Sequence, residues 1–481
     1  MLPRDPIHIT LTGADVGDRV FLSWVWSDGI VGHAVVPRAP LDRSLEAFEL
    51  ALPFPRPLSS SRPQPAALKR DDPGAGQESD GHFPILDAEL RRHRDQPTEV
   101  AKILTVRGWA DSALCSHDGE RALSEDLARV LLPDELVAQL ERHVDDLLPT
   151  PDGPPPVTLR ILPPGSCARV PWELLVVPAD REPDRRLLDL VDVVMLAPIV
   201  RDEPASLAPR LPEHGELGPA IRIIDQEPRH VLSSEDRDRW AERENADPEP
   251  ITRRSLSSRL RAAPRPSRLL YVGHVSASGE TAADASLHLG EAPREYGLAP
   301  LAASGCRPFS ARDLLVGTSG YHRRFPDEAI RQRVFGAEGP VVPDAARVPE
   351  GGIRELAGRE LWPMPPHVAL IACQSGLDVR HHEPFGLVSA CLELGAETVI
   401  ATRWMLVAVR ALRMLGASAA LDTLAREIDE LQGALSVTPN AFSVWQRHRL
   451  ARWRKTQSIA ESPLLWAAVG VFQSAELPGK R

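Results

Sequence analysis

The sequence contains little cysteine, and no two of its cysteines are spaced for a metal site. The five cysteines among 481 residues are an odd number and widely scattered, with no Cys-x-x-Cys pair: Cys115, Cys167, Cys306, Cys373 and Cys391. This pattern excludes a disulfide framework and a structural zinc site. Because unpaired thiols are typical of reducing compartments, we expect a cytoplasmic protein.

Long apolar runs and an excess of basic charge are also missing. No apolar run approaches the roughly 20 residues that cross a bilayer, and the start, MLPRDPIHITLTG, lacks the apolar core of a signal peptide. The 67 acidic residues outnumber the 56 basic ones, for a net charge of −11. We therefore expect no direct binding to nucleic acid and no association with a membrane.

Cofactor and metal motifs are absent as well. The chain has no phosphate-binding GxxxxGK(S/T) motif. His381 and His382 stand beside Glu383, but adjacent histidines point in different directions and no further ligands are evident nearby. We expect neither a cofactor nor a metal ion.

Proline is abundant, with 47 residues, which predicts long connections between elements. Residues 1–55 predict a small β-rich module, since Gly, Asp and Pro separate the segments IHITLT, RVFLSWVW, IVGHAVV and AFELALPF. Residues 56–83, rich in Pro, Ser and Gly, predict a linker.

Beyond the linker, helical and strand-like segments alternate. The stretch SEDLARVLLPDELVAQLERHVDDLL predicts a helix that starts at Ser124 and a second helix opened by Pro133. Buried strands are predicted in VTLRILP, LLDLVDVVMLAP, AIRIID, RLLYVGH, HVALIAC and TVIATRW. Strands interleaved with helices predict an α/β fold with a mostly parallel sheet.

Two of these strands end on reactive side chains. RLLYVGHVSASG leads to His274, and PHVALIACQSG leads to Cys373. Parallel strands end at a common edge, so imidazole and thiol could meet there, and a histidine base turns a thiol into a nucleophile. Gly273 and Gly376 would let the backbone turn beside them. The alternative is that Cys373 is a small buried apolar residue, as many free cysteines are.

The chain resembles the CHAT family, caspase-like cysteine peptidases related to separase, gingipain and the caspases. The resemblance rests on six segments in the family's order, which together cover roughly residues 95–475: VPWELLVVP, VDVVMLAPIV, LLYVGHVS, VALIACQSG, FGLVSACLELGAETVIATRW and SPLLWAAVGVF. It implies a two-lobed, caspase-like fold with a mostly parallel sheet flanked by helices. Residues 84–260 would form the N-terminal (pseudo-caspase) half and residues 261–481 the catalytic half.

The same resemblance implies roles for individual residues. His274 would be the general base and Cys373 the nucleophile, while the backbone N–H groups of Val275 and Cys373 would form the oxyanion hole. Trp172 and Glu173 would be structural, the aromatic ring filling the core and the carboxylate tethering a loop.

This sequence departs from the family pattern at three places. Val275 follows the histidine where the family has Gly, and Gln374 replaces the acid after the cysteine. TRWMLVAV contains no acid to read a basic P1 side chain. An apolar pocket lined by Trp404 and Met405 is the expectation; Arg403 is either a reader of an acidic P1 residue or a solvated strand end.

Three other features have less specific readings. Residues 317–361, between the two catalytic strands, are long for the family and would be a lid, a self-cleavage segment or a docking surface. Asp284 and His288 lie in a polar stretch and are expected at the surface. The basic segment RHRLARWRKTQ is expected to be one face of a helix, available to a partner.

The expected function is that of a regulated bacterial cysteine endopeptidase. The resemblance implies a protein substrate, such as a gasdermin-like or other effector encoded nearby, a regulatory protein partner, and a role in antiviral defence or cell death. A catalytically silent CHAT scaffold that acts by protein binding is the alternative, motivated by Val275 and the missing acid. A metal-dependent hydrolase is less well supported, because ligands are lacking.

Overall fold

A computed structural model describes residues 7–53, 84–93, 96, 105–108, 111–145, 157–178, 184–200, 218–226, 231–244, 250–277, 281–290, 294–299, 307–335, 337–348, 352–372, 385–407, 409–435 and 440–475. Its strands are β1 (His8–Val16), β2 (Arg19–Trp26), β3 (Val31–Pro37), β4 (Thr158–Leu162), β5 (Asp192–Val200), β6 (Ile221–Ile224), β7 (Arg268–Gly273), β8 (Val275–Ala277), β9 (Ala285–Leu287), β10 (Phe309–Ser310), β11 (His367–Ala372), β12 (Thr398–Thr402) and β13 (Val469–Ala475).

Ten of these strands form one sheet in the order β3-β2-β1-β4-β5-β13-β12-β11-β7-β6. Strands β1, β4, β5 and β13 are mutually parallel, and so are β12, β11, β7 and β6. The two parallel blocks meet where β12 pairs antiparallel with β13. Strands β8, β9 and β10 form a second, small sheet.

The helices lie between the strands along the chain, and several pack on the large sheet. They are α1 (Arg38–Ala51), α2 (Pro84–Arg92), α3 (His117–Leu131), α4 (Asp134–Asp145), α5 (Leu187–Leu190), α6 (Ser234–Glu244), α7 (Arg253–Leu260), α8 (Ala311–Val316), α9 (Tyr321–Arg324), α10 (Glu328–Phe335), α11 (Gly358–Leu361), α12 (Phe385–Glu393), α13 (Val409–Met414), α14 (Ala420–Leu435), α15 (Ala441–Thr456) and α16 (Pro463–Trp466). The predicted fold class, α/β with a mostly parallel sheet flanked by helices and an N-terminal β-rich region, is confirmed.

The N-terminal β-rich region is continuous with the large sheet. Its three strands pair antiparallel with one another, and β1 pairs in parallel with β4. The prediction of a fourth β segment in AFELALPF is wrong, since most of these residues lie in α1. That helix buries Leu41, Phe48 and Ala51, which lie on one face of a helix. The alternation of apolar and polar residues within AFELALPF alone does not show this spacing.

Strand pairing also crosses the boundary expected at residue 260. Strand β6 precedes that boundary yet pairs with β7, and β13, near the end of the chain, pairs with β5 of the first half. Parallel neighbours require crossover connections, so the chain leaves and re-enters the sheet. Strands from both expected halves therefore lie in one sheet.

Helix α3, which was predicted to start at Ser124, begins earlier. It starts at His117, where the Ser116 hydroxyl accepts a hydrogen bond from the Gly119 N–H at 3.2 Å. Ser124 lies inside the helix and donates to Glu120 at 2.8 Å. The break before α4 comes at Pro133, as predicted. The stretch LLDLVDVVMLAP likewise begins with the short helix α5 before β5.

The basic segment 447–457 lies almost entirely on α15, with one side facing the protein and the other exposed. Within α15, Trp453 is fully buried and Arg449 nearly so. Arg447 pairs with Asp192 at 2.6 Å, and Arg449 pairs with Glu461 at 2.8 Å. These two arginines bind the protein's own carboxylates, while His448, Arg452 and Lys455 are exposed. The segment is on a helix, as predicted, and a partner for its exposed side stays a prediction.

Within the described residues, no helix is both long enough and apolar enough to span a membrane.

Candidate functional site

The candidate site lies where β7 and β11 end side by side. These strands are parallel neighbours, and the last pair in their register is Gly273 with Ala372. His274 directly follows β7 and is 3% exposed. Cys373, the next residue after β11 in the sequence, lies outside the described residues, as do Gln374 and Gly376. The parallel register thus stops one residue short of each predicted catalytic side chain.

A buried tyrosine hydroxyl anchors the backbone at His274. The Tyr271 Oη lies 2.6 Å from the carbonyl oxygen of His274 and 3.0 Å from that of His288, and it accepts from the His288 N–H at 3.1 Å. Gly273 makes room for this ring, because a Cβ there would lie 2.8 Å from the Tyr271 Oη. The predicted role of Gly273 was backbone freedom at a turn; in the structure the residue closes a regular strand and supplies space.

His288 lies against His274, so its predicted place at the surface is wrong. The two ring centroids are 4.7 Å apart with 56° between the planes, and His288 is 9% exposed. Its Nε2 lies 2.9 Å from the Ser276 Oγ. The sequence does contain a local signal that His288 is buried: it stands between Leu287 and Leu289, and both leucines are buried. Asp284 is partly exposed and binds Thr281.

The N–H of Val275 points away from the neighbouring strand. The His288 N–H donates to the His274 carbonyl at 3.2 Å, and Val275 lies opposite Leu287 in the antiparallel register. Hydrogen-bonded and non-hydrogen-bonded pairs alternate in such a ladder, so the Val275–Leu287 pair is a non-hydrogen-bonded one. Its N–H is therefore outside the β8–β9 ladder, as an oxyanion donor must be.

The residues predicted to line a substrate pocket follow β12, the next strand in the sheet. Arg403 is 3% exposed, and its Nη1 donates to the Glu173 Oε1 at 2.6 Å. Trp404 is buried and donates from its indole N–H to the Leu464 carbonyl at 3.0 Å. Met405 is half-buried. The charge of Arg403 is thus already balanced by a carboxylate, and the substrate pocket stays a prediction.

The segment PWELL has the structural role predicted for it. Trp172 is fully buried in the core, in a short turn of 3-10 helix with Glu173. The Glu173 Oε1 binds both Arg403 and the Gln446 Nε2, the latter at 3.2 Å. One carboxylate therefore links the turn after β4 to the end of β12 and to α15.

The long segment 317–361 is largely folded where it is described. Rings of Tyr296 and Tyr321 lie 5.6 Å apart, and Phe325 and Phe335 pack beside them. The ends of the segment are joined, since the Thr318 hydroxyl donates to the Arg354 carbonyl at 2.7 Å. Its role as a lid, a self-cleavage segment or a docking surface stays a prediction.

Three of the five cysteines lie in the core, and burial changes their chemistry. It raises the pKa of the Cys115 thiol to about 11 and the pKa values of Cys167 and Cys391 to about 12. Thiolate, the nucleophilic form, appears only as the pH rises through the pKa. Iodoacetamide at about pH 8 should therefore leave these three unmodified in the folded protein. Peptide mass spectrometry, with a sample alkylated in concentrated urea as control, checks this; native labelling of Cys391 would contradict it.

No cluster of three or more His, Cys, Asp or Glu side chains suited to a metal ion occurs among the residues that the structure describes. The pair His381 and His382 lies outside them.

No protein family matches the chain, and no curated protein is significantly similar to it. Among solved structures, the Saccharomyces cerevisiae separase–securin complex is similar with a TM-score of 0.37 and 10% identity. The match covers 98% of this chain and 30% of that one, so this chain spans less than a third of the similar protein's length.

Proposed function

We propose that this chain is a caspase-like cysteine endopeptidase of the CHAT family, with Cys373 as nucleophile and His274 as general base. The observation that supports the proposal is the register of β7 and β11. Gly273 and Ala372 are paired neighbours in parallel strands, and each directly precedes one member of the dyad. Adjacent parallel strands display such residues at one edge, within reach of a shared substrate.

The proposed chemistry is acyl transfer. The Cys373 sulfur attacks the carbonyl carbon of the scissile peptide bond as His274 takes the thiol proton. The negative charge that forms on the carbonyl oxygen is stabilised by the N–H of Val275, together with that of Cys373. Collapse of the intermediate breaks the C–N bond, and His274 returns the proton to the leaving amine. Water, deprotonated by His274, then hydrolyses the thioester and frees the enzyme.

The proposed substrate is a protein partner, with a gasdermin-like effector encoded nearby as one candidate and a regulatory protein controlling access. An apolar P1 residue is favoured over an acidic one. Arg403 is buried and already paired with Glu173, whereas Met405 is half-buried beside the same edge. A role in bacterial defence or cell death rests on the resemblance alone.

The experiment is intact-protein mass spectrometry after exposure to peptidyl acyloxymethyl ketones with varied P1 residues, with and without proteins encoded beside this gene. We expect one adduct, lost in Cys373→Ala and formed about 10²–10⁴ times more slowly in His274→Ala. The adduct should be fastest with apolar P1 residues.

His367→Ala is the matched control, since this histidine lies at the start of β11, at the opposite end of the same strand, with its Nδ1 2.8 Å from the Thr398 Oγ1. It should leave adduct formation unchanged. Absence of any adduct under every condition, in protein whose circular dichroism shows an intact fold, would reject the peptidase and favour the silent scaffold.

A further inference from the structure

A second imidazole lies beside the proposed base and has no role in the chemistry described so far. The His274 and His288 ring centroids are 4.7 Å apart. The rings are inclined by 56°, and both residues are buried. The two histidines are 14 positions apart in the sequence: His274 directly precedes β8 and His288 directly follows β9, and these two strands pair in the small sheet.

His288 is held both at its backbone and at the far end of its side chain. Its backbone N–H binds the His274 carbonyl at 3.2 Å and the Tyr271 hydroxyl at 3.1 Å, which fixes its Cα relative to the base. The far end of the ring, at Nε2, lies 2.9 Å from the Ser276 Oγ. Ser276 lies on β8, two residues after His274. These backbone and hydroxyl contacts hold the His288 ring in a fixed position against the His274 ring.

We propose that His288 is a positioning residue for His274, with Ser276 as its anchor. This inference rests on the proposed function. A base must be aligned with the proton that it removes, and a misplacement of about 1 Å can cost about 10²-fold in rate. An imidazole free to rotate about its side-chain bonds would spend much of its time out of line. Packing against a hydrogen-bonded neighbour restricts that rotation and acts on the rate of the chemical step, with no change in substrate affinity.

The test compares Ser276→Ala with Ser276→Thr, and both with His288→Phe. The alanine variant removes the hydroxyl that anchors His288, the threonine variant keeps it, and the phenylalanine variant keeps a planar ring without nitrogen. The rate constant of inactivation, kinact, and the inhibitor constant, KI, are measured with the best ketone. We expect Ser276→Ala and His288→Phe to lower kinact by about 10- to 100-fold with KI unchanged. Ser276→Thr should retain nearly the full rate.

Thr398→Val is the matched control, because it removes a hydroxyl bound to His367 at the other end of the sheet. It should change neither constant. Equal rates in Ser276→Ala and the unmodified chain, equal losses in Ser276→Ala and Ser276→Thr, or a change confined to KI would each overturn the inference. The serine variants keep the test valid if His288→Phe fails to fold.

A second readout does not depend on catalysis. In protein labelled with ¹⁵N-histidine and carrying Cys373→Ala, relaxation of the His274 ring nitrogens reports how freely this ring moves. Restricted motion is expected when Ser276 is kept or exchanged for threonine, and greater motion is expected in His288→Phe; identical relaxation in these proteins would overturn the inference. The two proposals fail separately. If His274→Ala abolishes the adduct while the His288 and Ser276 variants react normally, only the positioning role is lost. If no variant or parent reacts, the peptidase is lost, and the relaxation data alone decide the positioning.

Discussion

Replacing Glu120 by Ala is expected to lower the free energy of unfolding by about 3–5 kcal/mol. Both side chains of the Glu120–Arg186 pair are fully buried. Arg186 donates to Glu120 from Nη1 at 2.6 Å and from Nη2 at 3.1 Å. The same carboxylate accepts from Ser124 and from the Trp453 indole, at 2.8 and 3.3 Å. Its removal takes away the fully buried one of the two carboxylates that Arg186 contacts, the other being Asp184 at 2.6 Å, and leaves two further buried donors without their acceptor.

The measurement is urea unfolding followed by tryptophan fluorescence and far-ultraviolet circular dichroism. Glu125→Ala is the matched control: it lies on the same helix and pairs with Arg121 at 2.9 Å, with both side chains 36% exposed. Such exposed pairs contribute only about 0.3–0.5 kcal/mol. If Glu120→Ala lost no more stability than Glu125→Ala, the buried network would not be holding α3 to the rest of the fold.

Glu173→Ala is expected to lower the free energy of unfolding by a similar amount, about 3–5 kcal/mol, because it leaves the buried Arg403 charge without its carboxylate partner. The side chains are 0% and 2% exposed, and the two residues are 230 positions apart. Exchanging both partners for apolar residues, as in Glu173→Leu with Arg403→Met, should recover part of the loss, since neither charge then stays buried alone. The parent, Glu173→Leu, Arg403→Met and the double variant form a double-mutant cycle whose coupling energy is read from urea unfolding.

This cycle also separates two roles for Arg403. If the arginine is structural, Arg403→Met destabilises the protein and leaves the P1 preference of any ketone adduct unchanged. If it reads an acidic P1 residue, the variant stays stable and loses only that preference. The exposed pair Arg129–Asp126, at 2.6 Å with side chains 70% and 55% exposed, is the comparison cycle. Its coupling should be below about 1 kcal/mol.

Most strands could be predicted from the sequence because their signal is local. The apolar stretches around β4, β6, β7, β11 and β12 are bounded by polar residues, Gly or Pro, and each contains a strand in the structure. The start of α4 after Pro133 was predictable for a similar reason. Errors arose where two local readings competed. AFELALPF fits a short strand, yet its neighbours extend it into an amphipathic helix that buries Phe48.

Pairing between distant segments left no comparable trace. Nothing in the sequence near residue 470 shows that β13 inserts between β5 and β12. His288 reads as a polar loop residue until the Tyr271 hydroxyl joins its backbone to His274. Arg403 reads as a solvated strand end until Glu173 lies 2.6 Å from it. Each of these contacts joins segments whose spacing along the chain follows no period.

The sequence by itself determined the α/β class, most strand positions and the ends of β7 and β11, which directly precede His274 and Cys373 in the sequence. These depend on hydrophobic runs and turn residues, which act over a few positions. Only the tertiary structure decided which strands are neighbours, that His288 and Tyr271 surround the His274 backbone, and that Arg403 and Glu120 lie in buried ion pairs. Those outcomes depend on how many apolar faces can be buried together and how the polar groups caught between them find partners, and that is a property of the whole chain.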